Sequence, residues 1–301
     1  MLIACLGLSV KSQNLPKPDH IVIVMLENTS YNSIMASSNA PYIKALGTDT
    51  SNALMKSSFG VTHPSQPNYI ALFSGSTQGV TDNSLPKNRP FTAPNLGASL
   101  LAKDYTFIGY AENLPSVGWN GEYSGGYGRK HNPWTNWMDG SVNGIPASCH
   151  QPFTNFPKGN FNSLPTVSFV IPTDENNMHN PSGSSTRIKN GDTWVKNNLD
   201  AYIKWAKQNN SLLILTFDED DHSQNNQVVT IFIGGMVKGG QYTNKIDHYS
   251  VLRTIEDMYG LPYAGKSAEA TPITNIWKAK ATNPPSPPVV TGIEDVKSAD
   301  F

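Results

Sequence analysis

The chain has 301 residues, of which 22 are basic and 23 acidic, for a formal net charge of -1. That length suits one large domain or two small ones, and the near-neutral balance excludes an electrostatic case for nucleic acid or an anionic membrane surface. Aromatic content of 10% with 24 glycines and 22 prolines describes a globular protein with long loops rather than a disordered chain.

Leu2 to Val10 is a short apolar run, too short to span a bilayer. It matches the h-region of a secretory signal peptide that lacks its basic n-region, with cleavage near Gln13. Residues 1–18 are therefore read as a leader. Cys5 falls inside it, which leaves Cys149 as the one thiol of the mature protein and no internal disulfide. The expected location is secreted or periplasmic.

His20 to Leu26 is an unbroken β-branched apolar run, the pattern of a strand buried on both faces of a parallel sheet. It ends abruptly in Glu27-Asn28. Ligands of open α/β sheets bind just beyond the carboxyl ends of strands, so Glu27 and Asn28 are candidate ligands. Thr62 to Asn68 is short and polar and runs into an apolar, helix-compatible segment. Ser65 would then stand in the first turn of a helix, where unpaired N–H groups favour an anion. A helix is expected over 94–102 and a strand over 105–110.

Residues 111–165 are rich in Gly, Asn, Trp and Pro with weak periodicity, and so long a loop usually carries function. It contains Arg129-Lys130-His131-Asn132, a possible exposed basic loop, and aromatic residues from Trp119 to Trp137 that would suit sugar stacking. A second buried strand, Thr166 to Ile171, ends in Pro172-Thr173-Asp174-Glu175-Asn176-Asn177-Met178-His179. Asp192 is a plausible N-cap for a helix running to Lys207. A third strand, Leu212 to Phe217, ends in Asp218-Glu219-Asp220-Asp221-His222. Val228 to Ile233 is a fourth, and Asp247-His248-Tyr249 opens a last helix to Tyr259. Asn283 to Pro288 is a stiff proline linker, and the chain from 281 is set apart from a domain spanning 19–280.

Strands alternate with helices, so the expected architecture is an α/β sheet with mostly parallel strands. In such a sheet the polar strand ends converge along one edge. Glu27, Asp218, Glu219 and Asp220 cannot meet there uncompensated, because close carboxylates repel. A divalent cation is the simplest compensation, with His179 and His248 available as nitrogen donors.

These motifs make the chain familiar. HIVIVMLENTSYNSI, THPSQPNYIALFSG, PTDENNMHN, LTFDEDDHSQNNQ and DHYSVLRTIEDMYGL resemble, in order, the bacterial phosphoesterase family that holds acid phosphatases and phosphatidylcholine-type phospholipases C. That family lies in the alkaline-phosphatase superfamily, which implies that superfamily's sheet fold. The resemblance puts Ser65 at the nucleophile position and Asn83 at a phosphate-oxygen donor. It implies Glu27, Asn28, Ser65, Asp218, Glu219, Asp220 and His248 as metal ligands, with His179 on the catalytic or phosphate side. Asn68, Lys130 and His131 are candidate substrate contacts. The tail VTGIEDV resembles the start of a type IX secretion sorting domain.

The expected function is a metal-dependent phosphomonoesterase acting through a phosphoseryl intermediate on a small phosphate ester, as a monomer or small homo-oligomer. The alternatives are a phospholipase C-type phosphodiesterase and, more distantly, a non-catalytic secreted binding protein. Oxygen-rich ligands point to Ca²⁺ or Mg²⁺, and histidine participation to Zn²⁺.

Overall fold

The computed structural model describes residues 15–182 and 185–279. The expected signal segment and the proline linker with its tail lie outside the described residues. In chain order the strands are β1 (His20–Leu26), β2 (Ala53–Phe59), β3 (Phe107–Ala111), β4 (Tyr123–Ser124), β5 (Tyr127–Gly128), β6 (His150–Pro152), β7 (Val167–Ile171), β8 (Ser211–Phe217), β9 (Gln227–Ile233), β10 (Gly240–Tyr242) and β11 (Ile246–Asp247). The helices are α1 (Tyr31–Met35), α2 (Pro41–Thr48), α3 (Ser65–Ser74), α4 (Leu96–Leu101), α5 (Ser185–Ala206) and α6 (His248–Tyr259).

Nine strands form one sheet in the order β10-β2-β9-β8-β1-β7-β3-β6, with β11 also paired to β2. β1 lies at its centre, parallel to both β7 and β8. β9 runs antiparallel to β8 and β2, so the sheet is mixed but mostly parallel. The apolar run of β1 is unbroken because both of its faces are covered. Ile21, Ile23 and Met25 join a core with α3, α4 and α6. Val22, Val24 and Leu26 join a second core with α1, α2 and α5 on the other face. Each such side chain taken from water contributes roughly 1.5–3 kcal/mol before chain entropy is counted.

Two expectations need correction. Asp192 does not cap its own helix, since α5 starts at Ser185 and Asp192 lies inside it. Its carboxylate instead accepts from Tyr42 N (3.1 Å) and Ile43 N (2.7 Å) at the start of α2, whose N-cap residue Ala40 offers no side-chain bond. The aromatic stretch is only partly available for sugar stacking: Trp134 and Trp137 are fully buried in the core, with the Trp134 indole so close to Gly109 that no side chain would fit there, whereas Tyr123 is exposed.

Candidate active site

Two strand ends and one helix start meet at the carboxyl edge of the sheet. β1 delivers Glu27 and Asn28, β8 delivers Asp218 and Glu219, and α3 begins at Ser65. Ser65 Oγ lies 3.0 Å from Glu27 Oε2, 3.1 Å from Glu219 Oε1 and 3.3 Å from Asn28 Oδ1. One hydroxyl has one proton, so it donates to one of these acceptors and approaches the others as an oxygen among oxygens.

Asn28 holds the cluster in register. Its backbone is left-handed, φ 36°, a region an asparagine tolerates better than most residues. From there its N–H donates to Asp218 Oδ1 at 3.0 Å and its Nδ2 to Glu219 Oε1 at 2.9 Å. The loop before α3 is fixed by Asn68, which accepts from Val61 N and Thr62 N and donates to the Thr62 and Pro64 carbonyls. All of its hydrogen-bonding capacity is thus taken up in positioning Ser65, and the expectation of Asn68 as a substrate contact is corrected. Asn83 accepts from Gln66 N at 3.0 Å, satisfying one of the free N–H groups of α3 while keeping an exposed position above that helix end.

Burial and mutual repulsion raise the carboxyl groups. Glu219 is pushed up to about 8, first by burial and then by the charge of Glu27. Asp218 is raised for the same two reasons, and Glu27 by burial, opposed most strongly by the charge of Lys130. Asp218 Oδ2 is buried without a hydrogen-bond partner. Glu219 Oε2 approaches His63 Nδ1 to 2.5 Å but off the hydrogen-bond axis, so both atoms lack a true partner.

Behind Glu27 lies a second layer. Tyr69 OH and His131 Nε2 both meet Glu27 Oε1, the latter at 3.2 Å, and His131 Nδ1 faces Asp174 Oδ1 at 3.5 Å. His131 is 1% exposed, and burial pushes its imidazole well below the usual range. His131 is therefore sealed inside the cluster and does not reach a substrate, which corrects its reading as a substrate contact. The basic loop is likewise not exposed: Arg129 is buried, with hydrogen bonds to Asn120, Thr135 and Asn136. Lys130 is half-buried beside Glu27 and Asp174.

Two other expectations change. Asp220 Oδ1 accepts from His222 N and Oδ2 from Gln224 N, so Asp220 builds the loop after β8 instead of offering free oxygens to a cation. His248 Nε2 donates to the Asp218 carbonyl at 2.6 Å, so that nitrogen steadies β8 and is not a free ligand. His179 lines a cleft that borders Asn28. The sequence reading did not single out His63, Tyr69, Asp174 or Arg187. His63 stood inside the quoted THPS motif and Asp174 in PTDENN, so a signal was present for both. Nothing in the spacing marks Tyr69 or Arg187.

A family model described as the Phosphoesterase family matches residues 36–262. The chain is 47% identical over 264 residues to a phosphatidylinositol-3-phosphatase of Mycobacterium tuberculosis, covering 87% of this chain and 84% of that protein. It is 30% identical to an acid phosphatase of Aspergillus fumigatus over 81% of this chain, though it spans only 55% of that protein's length. Among solved structures, a protein of the alkaline phosphatase superfamily from Vibrio parahaemolyticus superposes with a TM-score of 0.56 at 11% identity, over 82% of this chain and 68% of that one. Murine ectonucleotide pyrophosphatase/phosphodiesterase 5 does so with a TM-score of 0.57 at 7% identity, over 86% and 99%. These last two likenesses establish the fold, and the relatives establish a hydrolase of phosphoric ester bonds. The chain belongs to the Phosphoesterase family, on an alkaline-phosphatase-type sheet.

Proposed function

We propose that the protein is an exported, metal-dependent phosphatase that hydrolyses phosphate monoesters through a phosphoseryl intermediate on Ser65. The observation that carries this reading is the meeting of the Ser65 hydroxyl with Glu27, Asn28 and Glu219 at the start of a buried helix. Ser65 Oγ attacks phosphorus in line as its proton passes to water. The ester P–O bond breaks, and the departing alcohol takes a proton from His179 or water. The Asn83 amide nitrogen and the Ser65 backbone N–H at the start of α3 hold the phosphoryl oxygens. Water then attacks the phosphoserine, releases phosphate and restores the hydroxyl.

The donor chemistry fits a divalent cation. Asp218 Oδ2 is buried and unpartnered within a cluster of raised carboxyl groups, a situation that favours a bound positive charge. Among the described residues no group of three or more His, Cys, Asp or Glu side chains stands ready-made for a metal ion. However, two of the donors here are of other types, the Asn28 amide oxygen and the Ser65 hydroxyl. Glu27, Asn28, Asp218 and Glu219 would hold the ion, which would supply Lewis acidity at a phosphate oxygen and lower the Ser65 hydroxyl pKa. This oxygen-rich set favours a hard ion such as Mg²⁺ or Ca²⁺, and the engaged Nε2 of His248 argues against a nitrogen-rich zinc site.

Among the described residues no helix is long and apolar enough to cross a membrane. Export rests on the apolar run Leu2 to Val10, and a monoester preference on the phosphatase names of the relatives. Phosphate release from p-nitrophenyl phosphate by chelator-stripped protein, with single divalent ions restored, tests the reading. Ser65→Ala should lower kcat by about 10³-fold or more. Restoring the required ion should also raise the thermal midpoint of the Ser65→Ala protein, a readout independent of turnover. Metal-independent turnover, or an active Ser65→Ala protein, would overturn it.

A further inference from the structure

Arg129 is a buried cation with no anion to match it. It is 2% exposed. Its guanidinium donates to Asn120 Oδ1 at 2.8 Å, to Asn136 Oδ1 at 2.9 Å and to the Thr135 carbonyl at 2.6 Å. All three partners are neutral, and among the described residues Arg129 forms no ion pair. Burial first, and then the charge of Arg89, push the guanidinium down to about 10, while the exposed Glu122 carboxylate acts on it more weakly. A charge taken out of water without a counter-charge destabilises a fold, and here the neighbouring charge that acts most strongly is a second cation.

Beside it lies a pocket of about 160 Å³ lined by Lys87, Arg89, Pro90, Asn120, Thr135 and Met138. Asn120 and Thr135 are the residues that Arg129 bonds, so the buried guanidinium stands behind that wall. The free groups of the lining are donors. Arg89 Nε donates to the Pro86 carbonyl at 2.8 Å, which fixes the guanidinium, and its two Nη groups have no partner among the described residues. They carry four N–H bonds. Lys87 Nζ and Asn120 Nδ2 are also without partners among the described residues, the Asn120 oxygen being turned to Arg129. No carboxylate lines the pocket. At about 30 Å³ per water, the space equals roughly five waters, enough for one tetrahedral oxyanion. Both walls lead to the Ser65 cluster. The Gln66 side chain donates to the Asp82 and Ser84 carbonyls, tying the segment that carries Lys87 and Arg89 to the start of α3. Phe91 N donates to the Asn136 carbonyl at 2.7 Å, joining that segment to residues 129–136, whose His131 meets Glu27.

We infer that this pocket is a second anion site, taking one free tetrahedral oxyanion of the phosphate or sulfate class on Arg89, Lys87 and the Asn120 amide, with the Arg129 charge behind them. The Nη edge of a guanidinium matches two oxygens of such an anion, and charge-assisted bonds of this kind are roughly twice as strong as neutral ones. The site is separate from the catalytic one, since its lining includes none of Glu27, Asn28, Ser65, Asp218 and Glu219. It needs neither the serine hydroxyl nor a bound cation. An anion held there braces the 82–91 segment against residues 129–136.

The experiment is calorimetric titration of inorganic phosphate, and separately of sulfate, into chelator-stripped Ser65→Ala protein, at constant ionic strength set with sodium chloride. That protein lacks the nucleophile and any cation of the catalytic site, so the second site is read by itself. One anion should bind per chain with a dissociation constant on the order of 1 mM or tighter. Tighter phosphate or tighter sulfate identifies the preferred oxyanion, and either supports the site. In the same background Arg89→Gln should weaken binding about tenfold or more and Lys87→Gln about threefold, on the scale of charged hydrogen bonds to a buried and to an exposed donor. Lys130→Gln removes the cation beside Glu27 and should change the affinity by less than about twofold, because Lys130 is no part of this pocket. Both Arg89 and Lys87 stand on the surface side of the fold, and equal thermal midpoints of the anion-free proteins verify that the variants are folded. No saturable binding against chloride, an affinity unchanged in Arg89→Gln, or a loss in Lys130→Gln as large as that in Arg89→Gln would overturn the site. Each of those results leaves the phosphatase reading standing.

Discussion

Asn28 and Glu219 stand 191 positions apart in the chain, yet the Asn28 amide nitrogen donates to Glu219 Oε1 at 2.9 Å. The same amide's oxygen reaches Ser65, and its backbone N–H binds Asp218. A single residue with φ 36° thus ties the ends of two central strands to the start of α3. Glycine can adopt that backbone freely, whereas alanine is strained there. Replacing Asn28 by Gly or by Ala should therefore lower kcat/KM alike, by about 10²-fold or more. Only Asn28→Ala should also lose about 1 kcal/mol of stability. Kinetics beside urea denaturation separate the two effects. An active Asn28→Gly protein would show that the side chain is dispensable.

Helix α2 borrows its cap from α5. Asp192 satisfies the N–H groups of Tyr42 and Ile43 where Ala40 cannot. Asp192→Ala should lower unfolding stability by about 1–2 kcal/mol, since it strips a cap and leaves donors unpaired. Asp192→Asn keeps one acceptor and should cost less. Equal urea midpoints for wild type and Asp192→Ala would contradict this.

Stability should fall with rising pH through Glu256. Its Oε1 accepts from Ala264 N at 2.8 Å and its Oε2 from Ser267 Oγ at 2.5 Å, but burial dominates and raises the carboxyl from 4.5 to about 7. A carboxyl raised on folding binds its proton more tightly in the folded state. Its stabilisation is full below about pH 4.5 and is lost as pH climbs through about 7. Relative to Glu256→Gln, wild type should lose on the order of 1–3 kcal/mol between about pH 5 and about pH 8. Urea midpoints at both pH values give the difference, and a pH-independent gap between the two proteins would refute it.

How much of this was legible in the sequence depends on what each residue answers to. β1, β7 and β8 read clearly because strands covered on both faces need continuous apolar runs. Their acidic ends stand out against those runs, which singles out Glu27, Asp218 and Glu219 as candidates, and the structure brings Glu27 and Glu219 to the Ser65 hydroxyl. β2 (Ala53–Phe59) gave no such signal, because Lys56 and Ser57 turn toward solvent and interrupt the pattern. Asn68 and Asp220 looked like site residues by motif, but their side chains hold loops, a role set by three-dimensional neighbours. Asp192 carried the right chemistry for a cap and was matched to the wrong helix, since capping in trans leaves no trace in local spacing. His131 and Tyr69 act on Glu27 from distant segments, a relation that no periodicity encodes.

The central claim is that Ser65 Oγ is the atom that takes the phosphoryl group. Acid-quenching the metal-replete enzyme during turnover of p-nitrophenyl phosphate, followed by peptide mass spectrometry, tests it directly. The account predicts a phosphate mass on the peptide containing Ser65, localised to that residue and missing from Ser65→Ala. Turnover without label on Ser65, or label on a different residue, would contradict it.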